Sequence, residues 1–401
     1  MAPRALSLTA YLAYARGTPA SGTAPALPHR PLGPLVWAHA DGVEPARTLA
    51  NLCSRMQLQR PEITVALSGN MAAQPDALAV TLPADHPAEC ERFVASLRPD
   101  ILLWNALALR PALLHAAHRH GTHMMALDLP DSGWTSPAPR WLPDPAPATL
   151  ALFDSLHTAG NTVAGRLRRL GLDPDRIRKG AALLDTAQPL PNDDDTHQNL
   201  VSLLAGRPVW LAAHLRAEEA HDILRAHRRA LRLAHRLLLI MVPETEDEAL
   251  SIAQTVRGAQ MRVCHWDMGE MPDENTQVLL VEGPEQLGLW YRLAPLAFLG
   301  GSLVTGTGGH DPYEAATLGA AILYGPNVGR HLGAYSRLVE AGAARIVRDA
   351  DSLASAVSNL VAPDQAATMA HAGWDVISSG AKSVDRVITE VFDTLDARGA
   401  A

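Results

Sequence analysis

Along nearly the whole chain, short runs of aliphatic and β-branched residues alternate with stretches whose apolar positions recur at helical spacing. In the first half PLVWAHA, ITVAL, LAVTL, DILLWNAL and HMMALDL predict strands, and Pro45–Met56 and Pro111–Arg119 predict helices between them. Such alternation implies βαβ units and a parallel sheet. The pattern breaks at Asp185–Asp195, DTAQPLPNDDD, where Pro, Asn and Asp favour turns and resist packing. It then resumes: PVWLAAH, LLLIMVP, MRVCHW, VLLVEG and LAFLGG predict a second set of strands, with EEAHDILRAHRRALRLA a long helix between the first two.

The expected organisation is therefore an N-terminal domain over residues 1–185, a linker over 186–206 and a C-terminal domain over 207–401. Val384, Val387, Ile388, Val391, Phe392 and Leu395 have helical spacing, which predicts a final helix over Ser383–Arg398 that packs back on the first domain. Two successive doubly wound domains create a cleft, and ligands of such sheets bind at the carboxyl ends of the strands.

With 401 residues, 47% of them apolar, the chain can bury a large core, and aromatics at only 4% leave Ala, Leu and Val to fill it. A net charge of −8 argues against a nucleic-acid partner, which would call for a basic face. Cys53, Cys90 and Cys264 lie far apart without metal-ligand spacing, as expected of structural thiols in a reducing compartment. The N-terminal MAPRALSLTAYLAYARG lacks the features of a secretory signal and is too short to cross a bilayer. Its apolar Leu6, Leu8, Tyr11, Leu12 and Tyr14, flanked by Arg4 and Arg16, suit either a membrane surface or the chain's own domain.

The chemistry concentrates in Phe298–Pro326, FLGGSLVTGTGGHDPYEAATLGAAILYGP. Gly300, Gly301, Gly306, Gly308 and Gly309 permit positive φ and close approach of a ligand to the backbone. Asp311 suits an N-cap, Pro312 the first helical position and Glu314 the third, and free N–H groups at such a start attract phosphate. The same residues equally suit an ordinary capped helix after a tight turn.

The string GGSLV…GGHDPYEAATLGAAILYGP closely resembles the nucleotide-sugar loop of the Kdo transferases, which move 3-deoxy-D-manno-oct-2-ulosonic acid (Kdo) from its CMP derivative onto a lipid A precursor. VWAHADGVEPA, RPDILLW…RPALLHAAHRHG, AGNTVAGRLRRLGLDPDRIRKGAALL and RPVWLAAHLRAEEAHDILRAHRRAL are similar to further segments of that family. The resemblance implies an α/β fold of the GT-B type, two facing Rossmann-like domains with a deep interdomain cleft. It implies an inverting glycosyltransferase with CMP-Kdo as donor, a lipid A precursor as acceptor, no cofactor, and a place in the cytoplasm or on the cytoplasmic face of the inner membrane.

Carried over by position, the resemblance makes Glu44 the base, with Asp41 the second candidate. Gly300, Gly301, Ser302, Gly308, Gly309, His310, Asp311 and Glu314 become donor contacts, joined by Pro243, Gln286 and Leu287 at altered motifs. The sequence departs from the family where it carries a Glu-x-Glu pair, having Ala106, Leu107 and Ala108 there, and where it carries Pro-Arg-His-Pro, having Pro243, Glu244, Thr245 and Glu246. A glutamate repels the anion an arginine would hold, and losing one charge-assisted hydrogen bond costs about 1.5–3 kcal/mol. His214 or Arg216 could supply the missing cation. These losses also fit a paralogue with an altered donor or acceptor, or one that binds without transferring. No metal is expected, because no residue of ligand spacing accompanies His310.

Overall fold

The apolar runs become two parallel sheets in a computed structural model that describes residues 3–18, 26–72, 74, 77–129, 133–184 and 189–399. The chain divides into two units, Met1–Asp185 with Ser379–Ala401, and Thr186–Ser378.

In the first unit β1 (Leu35–Ala40), β2 (Thr64–Gly69), β3 (Ala77–Ala79), β4 (Ile101–Asn105), β5 (His123–Leu129), β6 (Ser155–Ala159) and β7 (Ile177–Gly180) form one sheet in the order β3-β2-β1-β4-β5-β6-β7. Every neighbouring pair is parallel. All residues of β1 are buried, because alternate side chains feed two cores. Leu35 and Trp37 join Tyr11, Leu12, Phe93 and Leu113 on one face. Val36, Ala38 and Ala40 join Leu49, Leu52, Val387 and Val391 on the other.

In the second unit β8 (Val209–Leu215), β9 (Leu238–Pro243), β10 (Val263–His265), β11 (Val278–Leu280), β12 (Leu296–Leu299), β13 (Ala321–Tyr324) and β14 (Ala344–Ile346) follow the order β10-β11-β9-β8-β12-β13-β14. These pairs are parallel as well. From β8 the chain proceeds outward to β9 on one side and later to β12 on the other, so the topological switch lies between β8 and β12. Crevices of this kind take ligands.

Several expectations need revising. β6 and β7 were not predicted; SLHTA and IRKG are short and partly polar, so they lack the continuous apolar run of their neighbours. The segment 186–206 is more than a linker: Asp194–Leu204 is a helix, capped by Asp193, whose side chain accepts from the Asp195 N–H. Residues 185–188 of the Pro/Asn/Asp-rich stretch lie outside the described residues. The C-terminal helix is longer than its apolar spacing suggested, running Pro363–Gly399, and its buried Val384, Val387, Ile388, Val391 and Leu395 complete the second core of the first unit.

The N-terminal helix, Pro3–Arg16, uses its apolar face internally. Leu8, Tyr11, Leu12 and Ala15 are buried in the first unit's core, and the Tyr11 hydroxyl donates to Asp85 Oδ2 at 2.7 Å. Only Leu6 and Tyr14 of its five large apolar residues face outward. The membrane-surface alternative therefore loses the continuous apolar stripe it required.

Candidate functional site at the second switch point

At its carboxyl end β8 breaks register with β9 between Ala212 and Leu215, and His214 takes a positive φ of 54°. A left-handed residue other than glycine costs of order 1–3 kcal/mol, so the surrounding packing must impose it. Glu244 follows directly on Pro243 at the end of β9, and the loop after β12 delivers His310 and Glu314. His214 Nδ1 lies 2.7 Å from Glu244 Oε2, His310 Nε2 lies 3.4 Å from the same oxygen, and His214 Nε2 lies 3.9 Å from Glu314 Oε2.

Burial opposes charge on His214, yet the carboxylates of Glu244 and Glu314 lift its proton affinity above the ordinary histidine value. Burial likewise opposes the Glu244 carboxylate, but the bond from His214 holds its pKa below the usual range. His310 is pushed down to about 4, first by burial and then by the neighbouring His214 charge. The cluster thus sets a histidine of raised proton affinity and one of lowered proton affinity against two glutamates. His214 compensates Glu244 itself, which leaves no surplus positive charge for an anion. Arg216 ion-pairs with Glu248 at 2.9 Å and acts on Glu244 through its field alone.

The phosphate seat expected at Gly300, Gly301 and Ser302 is filled by the protein. The Gly300 N–H donates to Ala213 O at 2.8 Å. The N–H groups of Gly301, Ser302 and Leu303 donate to the carboxylate of Glu219 at 2.7, 3.0 and 2.9 Å, and that of Arg216 adds a fourth bond at 3.2 Å. Successive amides in a tight turn make an anion nest, and here the anion is a side chain from helix Ala217–Ala230. Burial raises the proton affinity of Glu219, and the four donors pull it back.

Glycine at 300 is required for packing, since a Cβ there would sit 2.4 Å from the His214 carbonyl, and Gly301 has φ +61°. The Ser302 hydroxyl accepts from the Gly325 N–H at 2.8 Å and donates to Leu299 O. These three residues therefore hold the switch point together.

The rest of the loop is anchored at Gly309, whose N–H donates to Gly301 O at 3.1 Å, and at Gly308, whose carbonyl accepts from the Arg330 N–H at 3.3 Å. Asp311 caps the short helix Pro312–Thr317 by accepting from the Tyr313 N–H at 2.9 Å, and the His310 carbonyl accepts from the Tyr335 hydroxyl at 3.0 Å. Pro243 and Leu287 are buried, and Gln286 accepts from Trp266 Nε1 at 2.9 Å.

Glu44, in the first unit, is exposed in the first turn of helix Val43–Gln59, just beyond β1. Asp41 lies 3.6 Å from Nε2 of the buried His39, and the neighbouring imidazole lowers its pKa. His39 itself is fixed by Ser68 Oγ at 2.9 Å and by the Trp104 ring at 4.1 Å. Ala106 and Ala108 offer no polar side chain beyond β4.

Sequence reasoning assigned no role to Glu219 or His39. The signal for His39 was its place in VWAHADGVEPA; Glu219 gave none beyond lying in an early helical turn. The expectation that His310 has no ligand-type company also fails, since one ligand atom from each of His214, Glu244 and His310 lies within 4.8 Å of the others. These residues come from three separate strand ends, which no local spacing reveals.

The family described as 3-deoxy-D-manno-octulosonic-acid transferase (Kdo transferase) matches residues 15–182. Among curated proteins, the 3-deoxy-D-manno-octulosonic acid transferase of Haemophilus influenzae is 25% identical over 335 residues, 77% of this chain and 72% of that protein. That of Bordetella pertussis is 28% identical over 309 residues, 75% and 71% of the two chains. In sequence this chain resembles the Kdo transferase family, through residues 15–182 and through relatives that align with about three quarters of its length. Its two units are each Rossmann-like and follow one another along the chain. The solved C-terminal CMP-Kdo binding domain of WaaA from Acinetobacter baumannii aligns with 46% of this chain and 99% of its own, at 23% identity and a TM-score of 0.43. Among the described residues no helix is long and apolar enough to cross a membrane.

Proposed function

We propose that the chain transfers Kdo from CMP-Kdo to a lipid A precursor, with inversion at the anomeric carbon. The observation that carries this reading is the glycine-rich loop at the switch point of the second sheet, where Gly306 and Gly308 hold positive φ and Glu314 follows in the next helix. In a family whose curated relatives are named for Kdo transfer, that crevice is where a nucleotide-sugar belongs. Since Glu219 holds the amides of residues 301–303, the donor phosphate sits against the later stretch, where Gly306 and Gly308 hold positive φ. Glu314 accepts from ribose hydroxyls.

Glu44 takes the proton of the acceptor hydroxyl as its oxygen bonds to the anomeric carbon and the bond to the CMP phosphate breaks. Asp41 suits that task less well, because His39 lowers its proton affinity. The acceptor places the work at a membrane surface on the cytoplasmic side.

Millimolar CMP should raise the thermal midpoint of the purified protein, and CMP-Kdo with a lipid A precursor should yield a Kdo-bearing lipid by mass spectrometry. A second reading, a paralogue that binds without transferring, is favoured by the negative charge of Glu244 where the family carries arginine. CMP binding with no product in that assay would establish it, and absence of both would refute the donor reading.

A further inference from the structure

We infer that His214, Glu244 and His310 form a binding site for one divalent transition-metal ion of the zinc class at the carboxyl edge of the second sheet. Two imidazole nitrogens and a carboxylate oxygen meet here, all within 4.8 Å of one another. A tetrahedral ion with bonds of about 2.0–2.1 Å places its ligand atoms roughly 3.3 Å apart. His310 Nε2 and Glu244 Oε2 already stand 3.4 Å apart. His214 Nδ1, at 2.7 Å from the same oxygen, shares a proton with it; when an ion replaces that proton the contact opens by about half an ångström and one ring turns out of the parallel stack of His214 and His310, so that both nitrogens face the ion.

The outer partner is present as well. Glu314 Oε2 lies 3.9 Å from His214 Nε2, the nitrogen left over once Nδ1 ligates; closing that gap by about 1 Å gives the carboxylate–histidine hydrogen bond that fixes the tautomer of a metal-bound histidine. The left-handed backbone at His214 is what directs its ring to this edge. Two nitrogen donors select zinc-class ions over magnesium and calcium, which prefer oxygen alone.

The charge pattern gives the ion a task, and this step rests on the donor reading. Glu244 has replaced a cation that would face an anionic nucleotide. A doubly charged ion in place of the His214 proton makes the crevice less negative by one unit and keeps a position open towards the phosphate. The loss of arginine is then a change in the means of holding the anion.

After chelator treatment, zinc titrated against a chromogenic competitor should bind at one equivalent per chain. Magnesium should not compete. His310→Ala and Glu244→Ala should each weaken zinc at least about 100-fold, and Glu314→Gln about 10-fold, with circular dichroism of the metal-free variants unchanged. Should a variant fail to fold, cobalt loading of the intact chain reads the same site: strong four-coordinate ligand-field bands are expected. Absence of stoichiometric zinc, zinc retained in both alanine variants, or the pale spectrum of solvated cobalt would overturn the site.

CMP titrations with and without zinc separate the two readings. CMP bound without any stoichiometric zinc overturns the metal site alone. Stoichiometric zinc with no CMP bound in either form overturns the donor reading and leaves the metal site standing.

Discussion

His214 and His310 lie ring on ring, with centroids 4.1 Å apart and planes within 6° of parallel, and both reach one oxygen of Glu244. Two imidazoles in that arrangement cannot both be cations without strong repulsion, so positive charge is favoured on His214, nearer the carboxylate. The pair exists because β8 and the loop after β12 end side by side at the switch of the sheet.

Glu219 is the latch of that loop. Replacing Glu219 by Gln turns part of an acceptor-only group into an NH2 donor facing N–H groups, and should cost about 3 kcal/mol of stability in urea unfolding. A loss under about 0.5 kcal/mol would mean the three amides have another partner available.

Glu44→Gln keeps the size of the side chain and removes its basicity. Transfer should fall by about 10²- to 10⁴-fold while the CMP-induced thermal shift is preserved. Asp41→Asn should have the smaller kinetic effect, and a reversal of that order would move the base to Asp41.

Leu12→Ala tests where the N-terminal helix belongs. Because Leu12 is buried in the first unit's core, the substitution should lower stability by about 2–3 kcal/mol without changing how the protein partitions onto anionic lipid vesicles. Unchanged stability with weakened vesicle binding would return the helix to the membrane.

His227 gives a pH dependence whose sign is fixed by burial. Its Nδ1 accepts from Trp210 Nε1 at 3.1 Å, its Nε2–H donates to Gln277 O at 3.0 Å, and burial depresses its pKa to about 3. An unfolded histidine titrates near 6.5, so between about 6.5 and about 3 the unfolded chain takes a proton that the folded chain refuses. Its contribution is complete above that range and falls with pH, by about 1 kcal/mol between pH 7 and pH 5.5. His227→Gln should be less stable at pH 7 but show a correspondingly shallower decline in denaturant midpoints.

The parallel-sheet architecture was legible because strands such as PLVWAHA and LLLIMVP are apolar on both faces, a pattern only a covered sheet imposes. β6 and β7 escaped notice because SLHTA keeps Ser155, His157 and Thr158 among its apolar residues and IRKG lies at the sheet's edge. The loop 298–326 stood out through its glycines. The purpose of the first two did not, since Glu219 and Gly301 lie far apart in sequence and their pairing follows from strand order. The same holds for Glu244, which looked like a defect until His214 and His310 came within 4 Å of it.

The helix Pro363–Gly399 sets a timetable for synthesis. Val384, Val387 and Val391 complete the cover that Leu49 and Leu52 begin over the face of the first sheet carrying Val36 and Ala38, so part of that face stays open to water until the last helix has been made. The second unit lies wholly between the two parts of the first, so it has every segment it needs earlier. A nascent chain should therefore acquire its later half first, with the N-terminal sheet relying on chaperones meanwhile.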